Sequence, residues 1–307
     1  MRLIFSVFVY VIVLFPASLL AQEKLPVVTS FSILGDIVAN VGGDRIDMTT
    51  IVDADGDSHV YSPTPADAKA IARAKLVFVN GLAFEGWLDR LIAASEYSGP
   101  LIEASKGIIP INTAREGHDE HAKEGHDEHD HGGLDPHAWH SLTNARVYVA
   151  NILAALIDSD PEGASIYAAN AAAYLTKIDS TEAMVKAVVA TLPKNRRTIV
   201  TSHDAFGYLG AAYGFKFRAP VGMNTESEAS AADVAKLIRQ IKDEKITAAF
   251  TENITDPRLL KIIVEETDAR IGGILYSDSL SKKDGPAATY LDMMRHNIRT
   301  LVSALSL

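Results

Sequence analysis

A helical pattern close to thirty residues long lies in the middle of this chain, and the text on either side of it limits the fold more than any other feature. Tyr167, Ala171, Tyr174, Ile178, Val185, Val188 and Leu192 recur at spacings of three, four and seven, from a start at Pro161 to a stop at Pro193. At 1.5 Å per residue such a helix is about 45 Å long. That is more than one compact domain needs, so the helix is expected to connect two bodies. The flanking segments repeat one another in order. Val27-Val-Thr-Ser-Phe-Ser-Ile-Leu-Gly returns as Thr198-Ile-Val-Thr-Ser-His-Asp-Ala-Phe-Gly-Tyr-Leu-Gly. Thr64-Pro-Ala-Asp-Ala-Lys-Ala-Ile returns as Ser230-Ala-Ala-Asp-Val-Ala-Lys-Leu-Ile, and Val77-Phe-Val-Asn-Gly as Ala248-Ala-Phe-Thr-Glu-Asn. Apolar runs alternate with helical stretches on both sides, which implies two α/β lobes of similar construction, each a mainly parallel sheet flanked by helices. The expected division is a first lobe over 22–142, connecting helices over 143–193 and a second lobe over 194–307. In such sheets ligands sit beyond the carboxyl ends of the strands, here in the cleft between lobes.

Within the lobes, helices are expected around 33–41, 66–73 and 86–94. Thr64-Pro65-Ala66-Asp67 supplies a cap and an N-terminal proline for the second of these. Leu76-Val-Phe-Val reads as a buried strand, and Leu101-Ile102 and Ile108-Ile109 as shorter ones.

The formal charge of −10 carries no basic stripe, which argues against a nucleic-acid partner and suits a cation ligand. Residues 1–21 read as a secretory signal: Arg2, an apolar run from Leu3 to Phe15, then Pro16 to Ala21 ahead of polar Gln22-Glu23-Lys24. With 0 cysteines there is no thiolate metal site, and no cysteine to carry an N-terminal lipid. The expected location is the periplasm, unlipidated, with any metal held by histidine and carboxylate.

Three histidines stand at strand ends or in loops where this topology puts a ligand: His59, His137 and His203. Asp278 follows an apolar strand in the second lobe. Three neutral imidazoles and one carboxylate suit tetrahedral Zn²⁺. Asp57, Asp135 and Asp204 each lie beside one of these histidines and are candidates to fix a ring tautomer. His140 falls one helical turn after His137 and could face the same metal, or be a surface residue. His296 is read as surface or core, and Phe84, Trp87 and Trp139 as packing around the cleft.

The segments around Ser58-His59, Asp135-Pro-His137-Ala-Trp, Thr201-Ser-His203-Asp and Tyr276-Ser-Asp278-Ser resemble the four ligand motifs of the zinc/manganese solute-binding proteins of ABC importers, in family order. The resemblance implies two lobes joined by a rigid backbone helix, and metal-ligand roles for His59, His137, His203 and Asp278. It also implies zinc, because manganese members tend to carry Glu where this chain has His203. Zinc members often carry an insertion rich in His and acidic residues where this chain has 116–131. The implied partners are an ABC permease and its ATPase, with a periplasmic zinc metallochaperone as a further candidate and a monomer as the expected state.

That insertion, EGHDEHAKEGHDEHDH, holds His118, His121, His126, His129 and His131 among seven carboxylates and one Lys. Neutral imidazoles alternating with carboxylates bind zinc above pH ~6.5. Ordering a loop costs ~1–2 kcal/mol per residue, so this binding is expected to be weaker than at a built site. The loop is thus a collector of metal or a solvated acidic linker. Two other functions stand beside zinc capture: a zinc hydrolase, for which four protein ligands leave no position for water, and a manganese-specific binding protein or adhesin of the same family.

Overall fold

The computed structural model describes residues 23–112 and 133–306. The signal reading of 1–21 and the histidine-rich stretch 116–131 lie outside the described residues.

Eight strands and nine helices form two α/β lobes among the described residues. The first sheet contains β1 (Leu25–Phe31), β2 (Ile46–Val52), β3 (Leu76–Val79) and β4 (Leu101–Glu103), in the order β2-β1-β3-β4, all parallel. The second contains β5 (Thr198–Val200), β6 (Lys216–Arg218), β7 (Ala248–Glu252) and β8 (Arg270–Leu275), in the order β6-β5-β7-β8 and again parallel. Identical strand order is the structural form of the sequence echo. The central strands read as unbroken apolar runs because helices cover both faces of each sheet; all four residues of β3 and all five of β7 are buried.

Helices α1 (Ser32–Gly42), α2 (Pro65–Arg73) and α3 (Leu88–Ser95) belong to the first lobe. Thr64 closes a capping box on α2: its hydroxyl accepts from Asp67 N while the Asp67 carboxylate accepts from Thr64 N at 2.6 Å. The expected strand at Ile108-Ile109 is absent. That stretch carries no sheet partner and Ile109 is 89 % exposed, since two apolar residues without a neighbouring edge strand have nothing to pair with.

Helix α4 (Leu142–Ser159) leads through a short 3₁₀ turn at Pro161–Gly163 into α5 (Ala164–Ala190), whose 27 residues make it about 40 Å long. Its buried stripe is Tyr167, Ala171, Tyr174, Ile178, Thr181, Glu182, Val185 and Val189. Val189 rather than Val188 completes that stripe, and α5 packs on α1, α4 and α9 (Tyr290–Leu305). Because α9 follows the second sheet and packs on a helix that also packs on α1, one continuous hydrophobic core runs from lobe to lobe. A smaller cluster, including Leu237, Ile241, Leu260 and Ile263, fills the outer face of the second sheet beneath α7 (Ala231–Glu244) and α8 (Arg258–Glu265). The remaining helix, α6 (Gly207–Tyr213), starts just after His203. Among the described residues no helix is long and apolar enough to cross a membrane.

Candidate metal centre

His59, His137, His203 and Asp278 converge between the lobes, each from the carboxyl side of a sheet and each buried. One ligand atom from each lies within 4.8 Å of all the others. Asp278 Oδ2 is 3.2 Å from His59 Nε2 and 3.2 Å from His203 Nε2. Asp278 Oδ1 is 3.5 Å from His137 Nε2, and the Nε2 atoms of His59 and His137 are 3.4 Å apart. A tetrahedral ion with bonds of ~2.0–2.2 Å has ligand-to-ligand edges of roughly 3.3–3.6 Å. The four distances above lie close to such edges, and the whole set of ligand atoms falls within 4.8 Å. Neither Asp278 oxygen makes a hydrogen bond of good geometry, nor does either ring nitrogen of His203. Buried polar atoms are rarely left so; His203 Nδ1 faces Glu252, while His203 Nε2 and the Asp278 oxygens converge on one point, where a cation would satisfy them.

Each of the four side chains is set by its own local chemistry. His59 lies on the loop from β2 to α2, where Asp57 Oδ1 accepts its backbone N–H at 2.9 Å. Trp87 Nε1 donates to Ser58 O at 2.8 Å, and the Phe84 ring stands edge-on to the His59 ring at 4.9 Å. Phe84 is delivered by a turn in which Gly81, Leu82 and Ala83 have φ of +85°, +56° and +59°. For Leu and Ala such backbone costs ~1–2 kcal/mol each. Strain of this kind collects where a side chain must be aimed.

His137 sits on Asp135-Pro136. Asp135 Oδ1 accepts the His137 backbone N–H at 2.9 Å and lies 2.8 Å from its Nδ1, which directs Nε2 at the cluster. Asn80, at the end of β3, donates to Pro136 O at 2.9 Å. From the other lobe Tyr208 donates to Asp135 O at 3.0 Å. A Cβ on Gly207 would collide with the Asp135 carboxylate, so α6 begins with the one residue that permits this approach.

His203 follows β5, and Glu252 at the end of β7 holds it. Glu252 Oε1 accepts the backbone N–H groups of Ser202 at 2.8 Å and His203 at 3.0 Å, while Oε2 lies 2.6 Å from His203 Nδ1. Asp278 follows β8. Asn297 on α9 clamps the preceding Tyr276, accepting from its N–H at 2.9 Å and donating to its carbonyl at 2.7 Å. Trp139, two residues after His137, donates to Ser277 O at 2.9 Å and so ties the lobes together beside two of the four clustered residues.

Electrostatics make the four a unit. Burial alone would favour the neutral form of His203, but the negative charges of Glu252 and Asp278 outweigh it and hold that imidazole well above its ordinary value. Burial likewise opposes the charge on Asp278, and the facing His203 and His137 outweigh it, so that carboxylate titrates well below the usual range.

Of the three aspartates expected to orient the rings, Asp135 faces a ring nitrogen, Asp57 instead holds the His59 backbone, and Glu252 takes the place expected for Asp204. His140 is not a surface residue. It is fully buried between Trp139 and Phe206, outside the four-residue cluster, and burial with His137 nearby lowers its pKa to about 3. His296 is half-buried on α9, its Nε2 3.0 Å from Ile274 O. His118, His121, His126, His129 and His131 lie outside the described residues. Glu252 was missed, although a carboxylate ending an apolar strand, on the side where ligands gather, was the available signal.

The family model described as zinc-uptake complex component A, periplasmic (ZnuA), matches residues 27–304. The manganese-binding lipoprotein MntA of Halalkalibacterium halodurans is 35 % identical over 286 residues, covering 92 % of this chain and 89 % of that protein. Among solved structures, the manganese-bound periplasmic metal-binding protein of Candidatus Liberibacter asiaticus superposes with a TM-score of 0.79 at 35 % identity, covering 92 % of this chain and all of that one. The periplasmic zinc-binding protein TroA of Treponema pallidum gives a TM-score of 0.82 at 27 % identity, covering 92 % and 99 % of the two chains. By sequence, fold and cleft, this chain belongs to the ZnuA family of metal-binding components of ABC importers.

Proposed function

We propose that the chain captures Zn²⁺ outside the cytoplasm, holds it with His59, His137, His203 and Asp278, and passes it to an ABC permease driven by its ATPase. The observation that carries the choice of metal is the donor set: three imidazoles and one carboxylate whose ligand atoms lie within 4.8 Å of one another. Imidazole suits zinc, whereas manganese is better served by carboxylates, carbonyls and water in six-fold coordination. Manganese is the second reading, because MntA and the Liberibacter protein carry manganese in their descriptions. Binding is then the whole activity. Four protein ligands close the coordination that a zinc hydrolase would keep open for water.

The same reading has the first lobe over 22–142 and the second over 194–307 as the two jaws, bridged by 143–193, in a monomer. Residues 1–21 direct export. With 0 cysteines the chain carries no cysteine-borne lipid, in contrast to relatives named as lipoproteins and to a surface adhesin. The stretch 116–131, with His118, His121, His126, His129 and His131, collects zinc or receives it from a periplasmic metallochaperone, and His140 stays outside the coordination. Protein purified without added metal should contain one zinc per chain and exchange it for manganese only at large excess. Manganese retained in preference to zinc under equal competition would overturn the choice of metal.

A further inference from the structure

Asp57 does two things at once. Its Oδ1 accepts the backbone N–H of His59 at 2.9 Å, and its Oδ2 accepts the hydroxyl of Thr225 at 2.7 Å. Thr225 lies between β6 and α7, in the second lobe. A single carboxylate therefore joins the backbone of a first-lobe ligand to a loop across the cleft. The joint stands at an opening. Asp57 and Thr225 line an open cavity of about 640 Å³ together with Ser202, His203, Val221 and Leu259, so this cavity borders the His203 side of the four-residue cluster. The rest of the same first-lobe loop is attached elsewhere. Asp55 N donates to Leu280 O at 2.9 Å, Asn253 donates to Asp55 Oδ1 at 3.2 Å, and Ser279 Oγ donates to Asp53 O at 3.2 Å. None of the residues in those contacts lines the cavity, and Ser279 and Leu280 directly follow Asp278. Of the hydrogen bonds that this loop makes across the cleft, the Asp57–Thr225 one borders the cavity.

We propose that the Asp57–Thr225 hydrogen bond is a latch on the route by which the metal leaves, and that Asp57 couples the latch to the seating of His59. The proposal rests on the zinc-binding reading of the site. When His59 is drawn to the ion, its N–H holds Asp57 Oδ1 in place and Oδ2 is presented to Thr225. When His59 swings away, the carboxylate follows the backbone and the second-lobe loop is released, which opens the cavity toward His203. Asp57 and Thr225 are thus positioning residues that act on the lifetime of the bound ion and touch neither the ion nor its ligand atoms.

The test is zinc release from the loaded full-length protein into an excess of a chromogenic zinc chelator, for the parent, Thr225→Val, Thr225→Ser and His203→Ala. Thr225→Val keeps the size of the side chain and removes the donor. A half-exposed hydroxyl-to-carboxylate bond should be worth a factor of about five in rate. The expected result is one zinc per chain in Thr225→Val, released about five-fold faster, with Thr225→Ser returned to the parental rate. Release from Thr225→Val at the parental rate, with His203→Ala giving up its zinc to the chelator far faster than the parent, overturns the latch and leaves the binding site standing. Zinc held by His203→Ala as tightly as by the parent overturns both.

Discussion

The two lobes are copies in topology and differ in how they hold their half of the site. Aligning Val28-Thr-Ser-Phe31 with Val200-Thr-Ser-His203, and following the strand pairings Val28 to Val77 and Val200 to Ala249, places Asn80 and Glu252 at equivalent strand ends. The same alignment sets Phe31 opposite His203. In the first lobe the strand end is apolar: Phe31 packs 5.0 Å from Phe84 and from Trp139, and Ser30 and Asn80 N are tied by the buried Glu85, each at 2.6 Å. Burial raises that Glu85 to about 6. Its two cluster histidines arrive from loops, and the neutral Asn80 touches no histidine ring but braces Pro136 O and accepts the Tyr148 hydroxyl. In the second lobe the strand end itself supplies His203 to the cluster, and Glu252 holds its backbone and its ring together. The first lobe therefore sets its two histidines from loops, with Asp135 close to His137 in sequence, and the second sets His203 at a strand end with Glu252 brought from a neighbouring strand. Two similar frames provide unlike halves of one site.

The largest expected effect comes from removing the second lobe's ligand. Structural zinc sites are worth about 10–16 kcal/mol over their ligands, so His203→Ala should cost roughly 3 kcal/mol or more, at least about 100-fold in zinc affinity. Competition titration reads this, and circular dichroism should show the fold intact. Next come the carboxylates that orient the rings, whose loss typically costs 10–100-fold. Glu252→Gln should lie near the upper end, because it disturbs two backbone N–H groups as well as the ring, and Asp135→Asn near the lower. Equal losses would break the asymmetry between the lobes. Asn80→Ala should act on the frame more than on the metal. Pro136 O loses its donor and Tyr148 its acceptor, which should destabilise the fold by about 1–3 kcal/mol in urea unfolding, with zinc affinity changed by less than in Asp135→Asn.

A pH experiment tests the helical frame rather than the site. Asp36 on α1 accepts the Tyr290 N–H of α9 at 3.0 Å and faces the Tyr174 hydroxyl of α5 at 3.4 Å. Burial, with Asp292 adding to it and Lys177 opposing it, raises its pKa from 3.8 to about 6. The folded state therefore binds more protons than the unfolded one between those values. Its contribution is present below pH ~4 and is lost as pH rises through about 6. Asp36→Asn removes that loss and still accepts from Tyr290. It should be about 1–3 kcal/mol more stable than the parent at pH 7.5, the difference vanishing near pH 4. The smallest effect is expected from deleting 116–131, which should leave affinity at the tight site within a factor of about three.

How much of this was legible depended on the range of each signal. The periodicity from Tyr167 to Leu192 and the echo of Thr-Ser-Phe in Thr-Ser-His are local text, and they were sufficient for two parallel-sheet lobes and a long helix. His137 advertises its partner two residues away, in Asp135. Glu252 stands 49 residues after His203, and only the pairing of β5 with β7 brings it there. Ile108-Ile109 looked like a strand because two apolar residues satisfy the pattern for one, but a sheet edge is a property of the whole lobe. His140 looked like a first-turn surface residue because helical spacing says nothing of the Phe206 that covers it from the other lobe.

The central claim is that both lobes close a four-ligand tetrahedral site around zinc. X-ray absorption at the zinc edge, on protein purified without added metal, tests it most directly. The account predicts one zinc per chain with three nitrogens and one oxygen at ~2.0–2.2 Å, and loss of one nitrogen shell in His203→Ala. Six-fold coordination dominated by oxygen, or a spectrum unaltered by His203→Ala, would contradict it.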